Sequence, residues 1–162
     1  MTSQSYKIRV SARGIVLHER HILLNRFSGG AYYNIPGGGI EQGETAPVTA
    51  VREVWEEAGI KVGEPRFLFC LEYEPAYAKF LYGHTHTISL FFACALMGSA
   101  ALSEPTVPDI NPDDASIVSA PVWVPLSDLA HINLVPHIGQ NLIRYAETGV
   151  FEPAFFEEPY GV

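Results

Sequence analysis

The chain has 162 residues, 18 acidic against 10 basic side chains, and a formal net charge of −8. Nearly half of it is apolar and 17% is charged, which argues against disorder and suits a single domain with a full hydrophobic core. The acidic balance speaks against nucleic-acid binding, which needs clustered Lys and Arg. No apolar run reaches the roughly 18 residues of a membrane span.

The opening MTSQSYKIRV lacks the basic-then-apolar order of a signal peptide, so the expectation is a soluble cytoplasmic protein. Residues 7–17 are β-branched and apolar and read as a strand; residues 18–20 read as a turn, and HILLNRF as a second strand pairing back on the first. Glycine and proline break SGGAYYNIPGGG into a loop with a short strand at YYNI. Residues 46–58 read as a helix, with Thr45 as N-cap, Pro47 tolerated in the first turn and Gly59 as its stop. RFLFCLEYE and HTISLFFACAL are dense apolar strands joined by an aromatic-rich connection, and each holds one cysteine, Cys70 and Cys94, read as buried reduced thiols. Residues 97–116 form a long polar loop. PVWVPL reads as a further strand, SDLAH as one helical turn and residues 135–147 as a closing helix; the tail from 148 has no period. Strands with only two substantial helices imply helices packed on a sheet.

The helix carries Glu53, Glu56 and Glu57 at i, i+3 and i+4, inside an arc of roughly 100°. Val48, Val51, Val54, Trp55 and Ala58 take the other side, so the apolar side is expected on the sheet with the carboxylates pointing away from it. An ordinary amphipathic helix explains that much. It does not explain PGGGIEQGET, which puts glycines and two more carboxylates, Glu41 and Glu44, at the helix entry. Glycines let the backbone approach a ligand closely, and hard carboxylate oxygens suit Mg²⁺, which bridges carboxylates to phosphates.

Residues 38–60 resemble the signature of the Nudix hydrolases, G-x5-E-x7-R-E-U-x-E-E-x-G-U with U bulky and aliphatic. Gly38, Glu44, Arg52, Glu53, Val54, Glu56, Glu57, Gly59 and Ile60 all fall in register. One departure stands upstream, where many members have Trp and this chain has Tyr33.

The resemblance implies an α+β fold, an α/β/α sandwich around a mixed β-sheet. It also implies metal-dependent hydrolysis of a nucleoside diphosphate linked to another group. By position it makes Glu53, Glu56 and Glu57 ligands for Mg²⁺, or Mn²⁺, with the Gly37 carbonyl as an extra ligand. Arg52 and Glu44 hold the cluster in place, and Glu53 is the first choice of general base. Glu72, Glu104, Asp113 and Asp114 are base candidates outside the signature.

The substrate expected is a small-molecule nucleotide. Arg13 and Arg26 are candidates for its phosphates or ribose, with Arg66 and Lys79 as weaker ones. Tyr33 and Tyr77 are candidates for stacking on its base, among other aromatics that include Phe27, Tyr32, Tyr73, Phe80 and Tyr82. In this family a proline about fifteen residues past the signature goes with ADP-ribose and a tyrosine about seventeen past it with diadenosine polyphosphates; Pro75 and Tyr77 supply both. ADP-ribose or a similar nucleotide sugar is favoured. A dinucleoside polyphosphate, a (d)NTP, or a non-catalytic nucleotide-sensing role stay open. His84 and His86 lack a third ligand for zinc, and NPDDAS lacks the glycine and distal glutamate of a calcium loop. Phe151, Phe155, Phe156 and Tyr160 are costly to leave wet, which points to a homodimer contact through the tail.

Overall fold

The computed structural model describes residues 6–98 and 119–161. Base candidates Glu104, Asp113 and Asp114 and the NPDDAS segment lie outside them. The described elements are strands β1 (Arg9–Ile15), β2 (Leu17–His18), β3 (His21–Phe27), β4 (Tyr32–Asn34) and β5 (Gly37–Gly39), helix α1 (Ala46–Ala58), strands β6 (Val62–Tyr73), β7 (Thr87–Leu96) and β8 (Ser119–Pro125), a 3₁₀ turn (Leu126–Ala130), β9 (Leu134–Val135), helix α2 (Gly139–Thr148) and β10 (Phe155–Glu157). No helix among them is long and apolar enough to cross a membrane.

The strands form two mixed sheets, not one. The first runs β10-β6-β7-β1-β5; in the second β3 carries β8 on one edge and β2 and β4 on the other, with β9 beyond β4. The expected pairing of the first two strands survives only at its end, Leu17 opposite Ile22 and His18 opposite His21. Most of β1 leaves that hairpin to lie parallel to β7 and antiparallel to β5.

Period-two alternation gives β1 two different neighbours. Ala12 and Val16 pack into a core under α1 with Ala50, Val54, Ala58, Phe92 and Cys94. Gly14 lies under the same helix, where a Cβ would press on Val54. Ile15 faces the opposite way, into the larger core between the sheets and α2. There Phe91, Phe69 and Phe151 stack with ring centroids 4.2 and 4.1 Å apart.

α1 ends as expected, with Gly59 left-handed at φ 66° and its N–H donated to the Trp55 carbonyl. Its start differs. Thr45 holds the extended cap conformation but its hydroxyl caps nothing. Its buried face is Thr49, Ala50, Val54 and Ala58, while Val48 and Trp55 are exposed. The helix is therefore rotated from its hydrophobic reading, and small residues face the sheet because α1 lies close on it. As a result Glu53 and Glu57 turn toward the sheet edge instead of away from it.

The aperiodic tail is structured too. β10 adds in parallel to β6, pairing Phe156 with Leu71, and Phe151 and Phe156 are buried in the chain's own core. Tyr160 lies edge-on against Phe156 at 4.1 Å, which leaves only Phe155 half-exposed among the four tail aromatics. The basis for expecting a second subunit there is largely removed.

Candidate active site

Strand β5 is three consecutive glycines, and two of them, Gly37 and Gly38, have no room for a side chain. Gly37 and Gly38 pair with Arg13 and Ala12 of β1. A Cβ on Gly38 would run into the Glu53 carboxylate, and one on Gly37 into the backbone of Arg13 and the carbonyl of Ala12. The missing side chain at Gly38 lets α1 bring the Glu53 carboxylate against the strand, and that at Gly37 leaves room for β1.

Glu57 Oε2 accepts a hydrogen bond from Asn25 Nδ2 at 2.6 Å and from the Gly37 amide at 3.0 Å, tying α1 to both sheets. Glu53 Oε1 accepts from Arg52 Nη1 at 3.0 Å. The same Nη1 reaches Glu56 Oε2 at 2.9 Å, while Arg52 Nε and Nη2 hold the two oxygens of Glu44 at 2.7 and 3.0 Å. Thr49 Oγ1 also donates to Glu44, at 2.7 Å. One guanidinium thus organises three carboxylates, a task for a planar fork that an ammonium cannot match.

The electrostatics separate the acids. Arg52, and then Thr49, hold the Glu44 carboxyl down at about 2. Burial pushes Glu53 and Glu57 up; Arg52 opposes it for Glu53, and Asn25 and the Gly37 amide oppose it for Glu57. Two desolvated carboxylates are left short of positive charge. Arg13 is itself drawn below the usual arginine range by burial, with Glu57 as the largest opposing influence, and it stays protonated at neutral pH.

The donor set fits a hard divalent cation. It is all oxygen, and among the described residues Glu53 Oε2 and Glu57 Oε1 have no hydrogen-bond partner. It is not a closed cage, because no three such side chains converge among those residues. That suits Mg²⁺, which takes one or two carboxylates and keeps several waters.

Arg13 links this cluster to a cleft of about 820 Å³ on the other face of β1. Arg9, Ser11 and Arg13 line it from β1, Tyr32 and Asn34 from β4, and Tyr82 and His137 from the far wall. Tyr32, which lines it, stacks on Phe27 at 4.6 Å and 3°.

Of the substrate-binding candidates, Arg13 lines the cleft. Arg26, Tyr33 and Tyr77 do not: Arg26 is exposed on β3, Tyr33 packs against the larger core, and Tyr77 is 64% exposed beside a small acidic depression. Arg66 is taken by the Tyr145 hydroxyl at 2.9 Å, and Glu72 by His86 at 2.8 Å.

Sequence reasoning missed four residues. Asn25 is a buried polar side chain inside HILLNRF, a signal in itself. Arg9 stands four residues before Arg13 on the same strand face, which alternation could have found. Asn34 has a buried Oδ1 with no hydrogen-bond partner. His137 gave no signal, since it reads as part of a helix that in fact begins only at Gly139.

The NUDIX domain model matches residues 7–145. The chain belongs to the Nudix family. It is 33% identical over 128 residues to Nudix hydrolase 10 of Arabidopsis thaliana, covering 78% of this chain and 40% of that protein. The chain spans less than half the length of the curated relatives it matches. Its fold resembles the crystal structure of a UDP-X diphosphatase, with a TM-score of 0.65 at 18% identity over 96% of this chain and 70% of that one. It also resembles an ADP-ribose pyrophosphatase from Streptococcus suis, with a TM-score of 0.60 at 20% identity over 93% and 98% of the two chains. The expected Nudix α+β architecture, mixed sheets with two helices, is what these likenesses support.

Within this Nudix site Arg52→Lys is expected to lower any activity about tenfold or more, as loss of a ligand-orienting partner does. A steady-state assay against the parent checks it. The Arg52–Glu44 pair also sets a pH limit on stability. Because folding depresses the Glu44 carboxyl, its contribution is full at neutral pH and fades as pH falls from about 4.5 toward about 2. Thermal unfolding of Glu44→Gln across that window should converge on the parent at its acid end.

Proposed function

We propose that this Nudix protein hydrolyses the diphosphate of a nucleoside diphosphate joined to a second group, with ADP-ribose or a similar nucleotide sugar as the favoured class. One observation carries the reading: Glu53 and Glu57 meet the glycine strand directly beside Arg13, which opens on a cleft large enough for a nucleotide. Pyrophosphate hydrolysis asks a protein mainly for positioning and charge stabilisation. Glu53, Glu56 and Glu57, with the Gly37 carbonyl, would hold Mg²⁺ or Mn²⁺. Such an ion supplies charge neutralisation of the phosphates and acidifies water.

The remaining roles belong to the chain. Arg13 and Arg9 meet phosphate oxygens from the cleft side. Arg52 keeps Glu53 and Glu56 in register, supported by Glu44. Glu53, pushed up by burial and one oxygen short of a partner, is the proposed proton acceptor. Tyr32, stacked on Phe27, offers the nucleobase a flat face. Neither Tyr77, whose position hinted at dinucleoside polyphosphates, nor Pro75, whose position hinted at ADP-ribose, lines the cleft, so the substrate panel decides between them.

The test is a panel of ADP-ribose, UDP-glucose, diadenosine tetraphosphate and dNTPs with Mg²⁺ or Mn²⁺, scored by released phosphomonoester. Turnover of the nucleotide sugars above the rest is expected. Inertness across the panel, with ligand binding retained, would leave a nucleotide-sensing module instead.

A further inference from the structure

Glu158 is a fully buried carboxylate in the C-terminal tail, about a hundred residues from the α1 carboxylates in sequence. Burying a charge is costly unless it is hydrogen-bonded, so its partners matter. Glu158 Oε2 accepts the Tyr160 amide at 2.7 Å. Its Oε1 accepts the Tyr82 hydroxyl at 3.2 Å. The Tyr82 oxygen also lies 3.3 Å from His137 Nδ1. Tyr82 and His137 both line the cleft.

The chemistry fixes the direction of this chain. A phenol has one proton, and a buried carboxylate is the stronger acceptor, so Tyr82 donates to Glu158. Its oxygen then accepts from His137, which places the imidazole proton on Nδ1. The other ring nitrogen, Nε2, has no hydrogen-bond partner among the described residues and carries the lone pair of the neutral ring. The Tyr82 backbone is pinned as well, because its amide donates to the Tyr73 hydroxyl at 2.9 Å while that hydroxyl donates to the Gly83 carbonyl at 2.8 Å.

We propose that the tail is part of the ligand site: Glu158, acting through Tyr82, holds His137 so that Nε2 accepts a hydrogen bond from a hydroxyl of a nucleotide sugar in the cleft. Glu158 and Tyr82 are positioning residues, and His137 is a binding residue. The ligand class rests on the function proposed above; the hydrogen-bond chain does not.

Two measurements test this. Nitrogen-15 imidazole spectra of the parent should show His137 as the Nδ1–H tautomer, with that preference lost in Tyr82→Phe. A parent ring protonated on Nε2 overturns the proposal whatever the protein hydrolyses. The second is ADP-ribose binding by calorimetry without divalent cation, so that hydrolysis plays no part. His137→Asn keeps a donor near Nδ1 and removes Nε2; His137→Gln places an amide near Nε2. The Asn variant should weaken binding about three- to tenfold, the worth of one hydrogen bond, and the Gln variant should recover part of the loss. Equal affinity in parent and His137→Asn, with both folded by circular dichroism, overturns the binding role, as does a parent that does not bind ADP-ribose. Binding that follows this pattern without any hydrolysis would sink the proposed reaction and leave the inference standing.

Discussion

Glu53→Gln and Glu57→Gln are each expected to lower turnover by about 100-fold or more, and neither is expected to lower the unfolding midpoint in the absence of divalent cation. The two halves of this result separate function from folding. Glutamine keeps the shape of glutamate, and an amide oxygen at position 57 can still accept from Asn25 and the Gly37 amide. What is lost is a charge that the fold does not favour. Burial pushes both carboxyls up, so their ionised forms cost stability at neutral pH and a neutral side chain relieves that cost. The sign is opposite to that of Glu44, whose ionised form Arg52 stabilises. The divalent cation proposed above would compensate both charges, including that of Glu57 between the two sheets. Thermal shift supplies the second readout: Mg²⁺ should raise the parent's midpoint and raise those of the variants less. Turnover within about threefold of the parent would remove the two residues from the reaction.

Phe156→Ala is expected to cost about 3–5 kcal/mol in urea unfolding, against less than about 0.5 kcal/mol for Phe155→Ala. The two positions are adjacent on β10, but alternation sends them to opposite faces. Phe156 is 2% exposed and Phe155 50%. Phe156 sits edge-on to Phe69 at 5.2 Å and to Phe151 at 5.9 Å, so truncation opens a cavity inside the largest aromatic cluster. Equal losses at both positions would mean that the tail does not dock as described. The same truncation loosens the strand that leads directly into Glu158, so weaker ADP-ribose binding should accompany the loss of stability. Light scattering of the parent addresses the homodimer separately.

The sequence was most informative where function constrains residue types at fixed spacing. The signature from Gly38 to Ile60 identified the family, the helix with its glycine stop, and the carboxylates that crowd one side of it. Alternation and apolar density identified β3, β6, β7 and β8 because each is long enough to show its period. Short elements were less legible. β5 was invisible because three glycines carry no strand propensity, and it exists because β1 provides the pairing partner. β10 has only three residues and owes its form to the exposed edge of β6.

By itself, then, the sequence supplied the Nudix signature, and with it the expectation of which acids stand beside which glycines and which arginine organises them. Local spacing along one helix and one loop carries the signature from which that expectation follows. Only the tertiary structure decided which face of α1 is buried, that Glu57 is shared between two sheets through Asn25, that Arg13 rather than Arg26 reaches the cleft, and that Glu158 of the tail stands behind Tyr82 of its far wall. Each of these depends on contacts between residues far apart in the chain. Their geometry is set by which strands pair and how closely a helix can approach, and no periodicity within one segment records that.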